Sequence, residues 1–244
     1  MPTAGITYDL NGKKTFIPLE NNPDVFTHLA QNLGLSSNLG FYDVFSIDEP
    51  DLLAMVPRPV HSLIVIVPAP IVHRVRESDK ELSYEGSGPD EPVMWFPQTI
   101  RHACGLMALI HSTFNGPAKQ AIPSGSSVGE LLEKAVPLKP TQRADLLYNS
   151  EFLEKAHMDA AIKGDTSAPG SEEPSPYHVI SFVKGNDGHL WELEGAWGGP
   201  IDRGALANDE DVLSEKALEV GIRRFTRVAD GNLEFSIVAL ADKV

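Results

Sequence analysis

Hydrophobic positions along the chain change between a period near 3.6 and a period of two, and the changes mark the expected elements. Val25, Phe26, Leu29, Leu33 and Leu35 follow Asn22-Pro23 and close near Gly34, which predicts a first amphipathic helix. Phe41 to Phe45 alternates weakly, as a short strand would, and Pro50 to Met55 reads as a helical turn. Leu63-Ile64-Val65-Ile66-Val67 is short and β-branched, which predicts a buried strand. Residues 75–92 are polar and hold Gly86, Gly88, Pro89 and Pro92, so they predict a loop. ACGLMALIHSTF, residues 103–114, is apolar on most sides and predicts a central helix buried nearly all round.

Two more helices are expected over Ser127 to Val136 and Thr141 to Lys155. Helical pattern fades after Lys155, and Gly164 to Pro176 is rich in Gly, Ser, Pro and acid, as a flexible surface loop would be. Tyr177 to Val183 and His189 to Glu194 alternate around Gly185-Asn186-Asp187-Gly188, the clearest β-hairpin signal in the chain. Asp209 to Val228 predicts a helix with acids in its first turn and Arg223, Arg224 and Arg227 near its end. Leu233 to Leu240 predicts a closing strand. With no internal repeat and no clean linker, the 244 residues read as one α/β or α+β domain.

Composition narrows the function classes. Lys plus Arg is 20 and Asp plus Glu is 34, a net charge of −14. Such a surface repels phosphates, so general nucleic-acid or anionic-membrane binding is not expected, whereas a basic partner suits it. Cys104 is the one cysteine, which excludes an intramolecular disulfide and any multi-thiolate zinc cluster. Met1 to Lys14 is polar, and the most apolar stretch, Leu63 to Val72, is broken by Pro68 and Pro70. A soluble intracellular protein is expected.

The chain carries no G-x-x-x-x-G-K-[ST] loop, no H-E-x-x-H and no dinucleotide fingerprint. A lone cysteine is more often a small buried hydrophobe than a nucleophile. Cys104, however, begins an apolar helix, where the dipole and free N–H groups favour thiolate and could hold an oxyanion. Gly105 after it lets another backbone come close. A thiolate nucleophile needs a base. If Val183 pairs with His189 across the loop 184–188, His178 lies directly opposite Glu194, with Cβ atoms ~5 Å apart. A carboxylate there would fix the imidazole tautomer. An ordinary cross-strand His–Glu pair explains the same spacing.

These residues carry a family resemblance. QTIRHACGLMALIH (98–111) resembles the active-site segment of the ubiquitin C-terminal hydrolases, a family of papain-like cysteine peptidases. HVISFVKGNDGHLWELEG (178–195) resembles that family's histidine hairpin, and FIPLENNPDV (16–25) and YDVFSIDEPDLLAMVPRPV (42–60) are similar to it in the same order. The resemblance implies an α+β fold, with an antiparallel sheet core flanked by helices, in a single domain over 1–244. It implies Cys104 as nucleophile, His178 as general base, Gln98 as oxyanion donor and Glu194 as the third triad member, with no metal and no cofactor. It also implies a crossover loop over the active site at about 157–176, which would restrict cleavage to small adducts.

The expected activity is hydrolysis of ester, thioester, amide or peptide bonds after the C-terminal glycine of ubiquitin or a ubiquitin-like protein. Leu19, Glu20 and Asp24 are candidates to meet the basic ubiquitin tail; a solvated helix start is their bland alternative. A cytoplasmic monomer is expected, with the nucleus as a further location. Glu194 departs from the family's usual Asp, and His102 from its usual Asn two residues before the nucleophile, which makes His102 a rival partner for the thiol. These departures leave an alternative function, a ubiquitin-binding module with weak or no catalysis.

Overall fold

The computed structural model describes residues 3, 5–79, 82–166, 173 and 175–243. Its elements run β1 (Thr7–Tyr8), β2 (Lys14–Thr15), α1 (Pro23–Asn32), β3 (Leu39–Asp43), α2 (Pro50–Leu53), β4 (Val60–Pro68) and α3 (Ala69–Arg76). There follow α4 (Cys104–Thr113), a 3-10 turn at Pro117–Ala121, α5 (Ser127–Ala135), α6 (Pro140–Tyr148) and α7 (Glu151–Ala161). The chain ends with β5 (Tyr177–Lys184), β6 (His189–Leu193), β7 (Ile201–Ala205), α8 (Glu215–Val220), α9 (Arg223–Thr226) and β8 (Ser236–Asp242).

Six strands form one antiparallel sheet in the order β3-β8-β4-β5-β6-β7, and β1 pairs with β2 apart from it. Side chains on alternate positions enter two cores. Ile64, Val238 and Leu240 face α4, with α1, α5 and α7 packed around that helix. Leu63, Val65, Ile180, Phe182 and Ala239 face the opposite side, which α3, α8 and α9 cover. The α+β architecture expected from the sequence is therefore present.

Helix α4 has every residue from Gly105 to Thr113 buried, in agreement with its all-round apolar sequence. Two hydroxyls pin it to the middle of the sheet. Ser62 Oγ in β4 donates to Ser112 Oγ at 2.6 Å, and Ser181 Oγ in β5 donates to the Ala108 carbonyl at 3.0 Å. Buried hydroxyls must find partners, so these contacts select one seating of the helix.

Several boundaries differ from the sequence reading. Helix α3 was not anticipated, because Pro68 and Pro70 read as breakers; a proline in a helix's first turn loses no hydrogen bond, and Pro70 stands there. The single helix expected over Thr141 to Lys155 is two, since Ser150 Oγ accepts from Leu153 N and starts α7 anew. Helix α7 then continues to Ala161, so the first residues of the expected crossover are helical. The long helix expected from Asp209 starts only at Glu215, capped by Ser214, and Gly221 separates α8 from α9. Asp211 Oδ2 instead accepts from Val60 N at 2.8 Å. Strands β1, β2 and β7 were also missed; β1 and β2 are only two residues each, too short for alternation to register.

Arg143 in α6 is wholly buried and ties residues 91–95 to the helices. Its Nε donates to the Ala135 carbonyl at 3.0 Å and its Nη1 to Glu91 Oε1 at 3.2 Å, with a second, shorter contact to Glu91 Oε2. Removing one partner of a buried pair strands the other charge. Urea unfolding of Arg143→Ala should show a loss of roughly 3–5 kcal/mol. Lys139→Ala, which removes an exposed pairing with Glu85, should stay within about 1 kcal/mol.

Candidate active site

One open cleft of about 410 Å³ is lined by Gln98, Cys104, His178 and Glu194, four residues from three separate stretches of chain. Asp9 and Lys13, Arg101 and His102, and Ser175 and Tyr177 complete its rim.

Cys104 is the first residue of α4 and keeps part of its surface open to the cleft. Burial pushes its thiol up to about 11, against the opposing pull of the Gly105 and Cys104 N–H groups, and the Glu194 charge adds to the upward push. Desolvation thus works against the N–H groups of the helix start, which by themselves favour the thiolate. What approaches Gly105 is a side chain, not a backbone. A Cβ at that position would meet Leu19 Cβ at 2.9 Å, so Leu19 seats directly behind the nucleophile.

Glu194 lies just past the end of β6, and Trp95 Nε1 donates to its carbonyl at 3.0 Å. The hairpin register differs from the expected one. Lys184 pairs with Leu190, Val183 with Trp191 and Ser181 with Leu193, a shift of two positions, and Gly185 N donates to the His189 carbonyl at 2.9 Å, which leaves Asn186 to Gly188 in the turn. His178 and Glu194 are therefore diagonal, not directly opposite. Their side chains nevertheless meet, His178 Nδ1 against Glu194 Oε1. A shift of two keeps both on one face, and a diagonal neighbour is reachable for a long side chain. The extra methylene of glutamate supplies that reach. With Nδ1 engaged, Nε2 is the ring nitrogen left for proton transfer.

Glu194 is almost completely buried. Burial raises its carboxyl pKa, but His178 and Arg76 outweigh that and hold it below the ordinary carboxylate range. Arg76 Nη2 lies 3.0 Å from Glu194 Oε2. Sequence reasoning missed Arg76 together with the helix that carries it.

Gln98 is fixed from both ends. Its backbone N–H donates to the Gly195 carbonyl at 2.8 Å, and its Nε2 donates to the Ile100 carbonyl at 3.0 Å. A Cβ at Gly195 would fall 2.9 Å from Gln98 Cβ and 3.3 Å from the Phe96 carbonyl, so only glycine lets the Glu194 and Gln98 segments approach this closely.

His102 is buried and left-handed, with φ of 58°. Asn and His are among the few residue types enriched in that conformation, which accounts for a histidine where the family's usual residue is Asn. Its Nε2 lies 3.4 Å from Arg101 Nε. Of the three candidate substrate-binding residues, none lines the cleft. Leu19 is packed behind α4. Glu20 Oε2 accepts from Asp165 N, Thr166 N and Thr166 Oγ1 at 2.8, 3.1 and 3.1 Å. Asp24 is exposed in the first turn of α1, its N–H donating to Asn22 Oδ1. Among the described residues, no group of three or more His, Cys, Asp or Glu is arranged to hold a metal, and no helix is long and apolar enough to cross a membrane.

A neutral resting thiol has a measurable signature. Iodoacetamide alkylation of Cys104 in the free protein should keep accelerating as pH rises through about 8 to 10, because the thiolate fraction is still growing there. A plateau reached below neutrality would instead mean a preformed thiolate–imidazolium pair. His102→Asn should leave the alkylation profile and the melting temperature essentially unchanged, since Asn tolerates the same backbone.

A family model described as ubiquitin carboxyl-terminal hydrolase, family 1, matches residues 16–227. A ubiquitin carboxyl-terminal hydrolase of Aplysia californica is 35% identical over 215 residues, 87% of this chain and 95% of the relative. The ubiquitin carboxyl-terminal hydrolase isozyme L1 of Equus caballus is 30% identical over 223 residues, 91% of this chain and 96% of the relative. Among solved structures, the Trichinella spiralis UCH37 catalytic domain bound to ubiquitin vinyl methyl ester has the same fold, with a TM-score of 0.72 at 21% identity, covering 93% of this chain and 95% of that one. A match of this extent, on a chain whose cleft gathers Gln98, Cys104, His178 and Glu194, assigns the protein to the ubiquitin carboxyl-terminal hydrolase family of cysteine peptidases.

Proposed function

We propose that the chain hydrolyses ester, thioester, amide and peptide bonds after the C-terminal glycine of ubiquitin, and that the four cleft residues carry the reaction. The observation that carries this reading is the meeting of Gln98, Cys104, His178 and Glu194 in one cleft of a chain from this family. The solved relative captured with a ubiquitin vinyl methyl ester supports ubiquitin as the partner.

The chemistry follows from the positions. His178 Nε2 takes the proton from Cys104 Sγ as the sulfur attacks the carbonyl carbon of the terminal glycine. General-base activation with substrate in place fits a thiol whose resting pKa is raised. The oxyanion is held by the Cys104 backbone N–H and by Gln98. A primary amide has two N–H donors, and the Ile100 carbonyl occupies only one of those of Gln98. His178 then protonates the leaving amine or alcohol, and a water attacks the thioester with His178 again as base. Glu194 holds the Nδ1–H tautomer and stabilises the imidazolium.

The segment between α7 and β5 is the proposed crossover. Two observations support it: Asp165 and Thr166 are bound to Glu20, and Ser175 and Tyr177 line the cleft. Residues 167–172 and 174, the middle of the expected crossover, lie outside the described residues. Glu20 is thereby the anchor of the segment's first turn. To meet an arginine of the ubiquitin tail it would exchange those bonds, whereas Asp24 is an exposed acid of the same edge. Leu19 supports the nucleophile's helix from behind. The reading includes a monomer in the cytoplasm or nucleus, where a lone thiol stays reduced.

A fluorogenic ubiquitin amide, assayed beside a binding measurement, tests the reading. Cys104→Ser should abolish turnover with binding retained, and Gln98→Ala should lower kcat by ~10²-fold or more. Glu194→Gln keeps the shape but removes the charge, so kcat should fall steeply at unchanged KM. Binding by the wild type without turnover would make the chain a ubiquitin-binding module instead.

Leaving-group size gives a second, independent check. Inserting about ten Gly and Ser residues near Ser167 should raise diubiquitin cleavage and leave the small-amide rate nearly unchanged, because only the span of the loop changes. Chains cut by the wild type as fast as small amides would overturn the crossover.

A further inference from the structure

We propose that Arg76 is a positioning residue for the reaction, fixing the Glu194 carboxylate so that Oε1 faces His178. This rests on the triad reading above.

Glutamate reaches His178 only along a diagonal, through a side chain with three rotatable bonds, so something has to select one rotamer. Arg76 Nη2 lies 3.0 Å from Glu194 Oε2, the oxygen that His178 does not use. The guanidinium is itself held by other groups. Nη2 is also 2.5 Å from Glu192 Oε1, Nη1 donates to Asp79 Oδ2 at 3.0 Å, and Cζ sits 4.8 Å above the Trp197 ring. Its side chain is 5% exposed. Arg203 continues the chain of contacts, with Nε 2.7 Å from Glu192 Oε2 and Nη2 2.9 Å from Asp79 Oδ2, and Arg224 Nη2 donates to Asp79 Oδ1 at 3.0 Å. Arg76, Arg203 and Arg224 thus face Asp79, Glu192 and Glu194, three charges against three, in a cluster whose buried end, Arg76 with Glu192 and Glu194, reaches the triad.

The direct contact of Arg76 with Glu194 has a catalytic consequence. By charge alone, a carboxylate stabilises the protonated form of any base beside it, and a cation on its far side weakens that pull. Arg76 supplies such a cation at Oε2 of Glu194, and the other titratable group packed on the ring is His73, edge-on to His178 with centroids 5.7 Å apart. Arg76 touches neither substrate nor sulfur; it acts through Glu194.

The test is the pH profile of kcat/KM on a ubiquitin amide for wild type, Arg76→Gln, Glu194→Gln and the double variant, with melting temperatures alongside. Arg76→Gln should lower kcat by about tenfold, the scale of loss when a partner that orients a functional group is removed. Its acid limb should move up by about half to one pH unit, with KM for ubiquitin unchanged. In the Glu194→Gln background the same substitution should have little further effect on kcat, because the group it acts through is already neutral. Arg203→Gln disturbs the same cluster without touching Glu194. It should lower the melting temperature and leave the acid limb in place.

Should Arg76→Gln fail to fold, Arg76→Lys carries the test, keeping the charge but not the planar fork: kcat falls while the acid limb stays. The proposal is overturned by a folded Arg76→Gln with wild-type kcat and profile, or by Arg76→Lys with wild-type kcat. A full loss on top of Glu194→Gln, or an equal shift in Arg203→Gln, overturns it as well. Wild-type kcat in Glu194→Gln itself would instead sink the triad reading.

Discussion

A helix with almost no polar face has to be enclosed, and the arrangement of this protein follows from enclosing α4. Its residues from Gly105 onward are buried, so the sheet must close one side and α1, α5 and α7 the others. Only the N-terminal end escapes, because Cys104 borders the cleft. The serine contacts from β4 and β5 fix how far α4 slides along the sheet, and β5 is the strand that begins with Tyr177 and His178. Packing that serves stability thereby sets the position of the sulfur relative to the imidazole.

Much of this was legible in the sequence because its causes are local. The runs that became α5 and the β5–β6 hairpin have one clear period each, those that became β4 and α4 are almost wholly apolar, and Asn22 and Gly34 bracket α1 through their own local chemistry. Cys104, Gln98, His178 and Glu194 were singled out and share one cleft. What escaped depends on partners distant in the chain. Arg76 acquires its role from Glu192 and Glu194, more than a hundred residues later, and nothing near it in sequence announces that. The hairpin register was misplaced by two because Gly185 to Gly188 permits more than one turn, and the choice is made by β4 and β7 on either side. Ser150 was hidden because the apolar pattern runs on through a cap.

The electrostatics of the site reflect the same enclosure. Desolvation pushes both Cys104 and Glu194 toward their neutral forms. Glu194 resists because charged partners surround it; Cys104 has only backbone N–H groups and yields. The same burial therefore acts oppositely in effect, leaving the Glu194 carboxyl lowered and the Cys104 thiol raised.

The strand order carries a consequence for how the molecule is made. Strand β8, the last element, inserts between β3 and β4 and pairs with both. Until residues 236–242 leave the ribosome, β4 has β5 on one side and a bare row of amides and carbonyls on the other. The sheet cannot close progressively from its first strand. Its centre is closed by a pairing between strands far apart in the chain, the kind of non-local contact whose loop-closure entropy has to be met before it is formed.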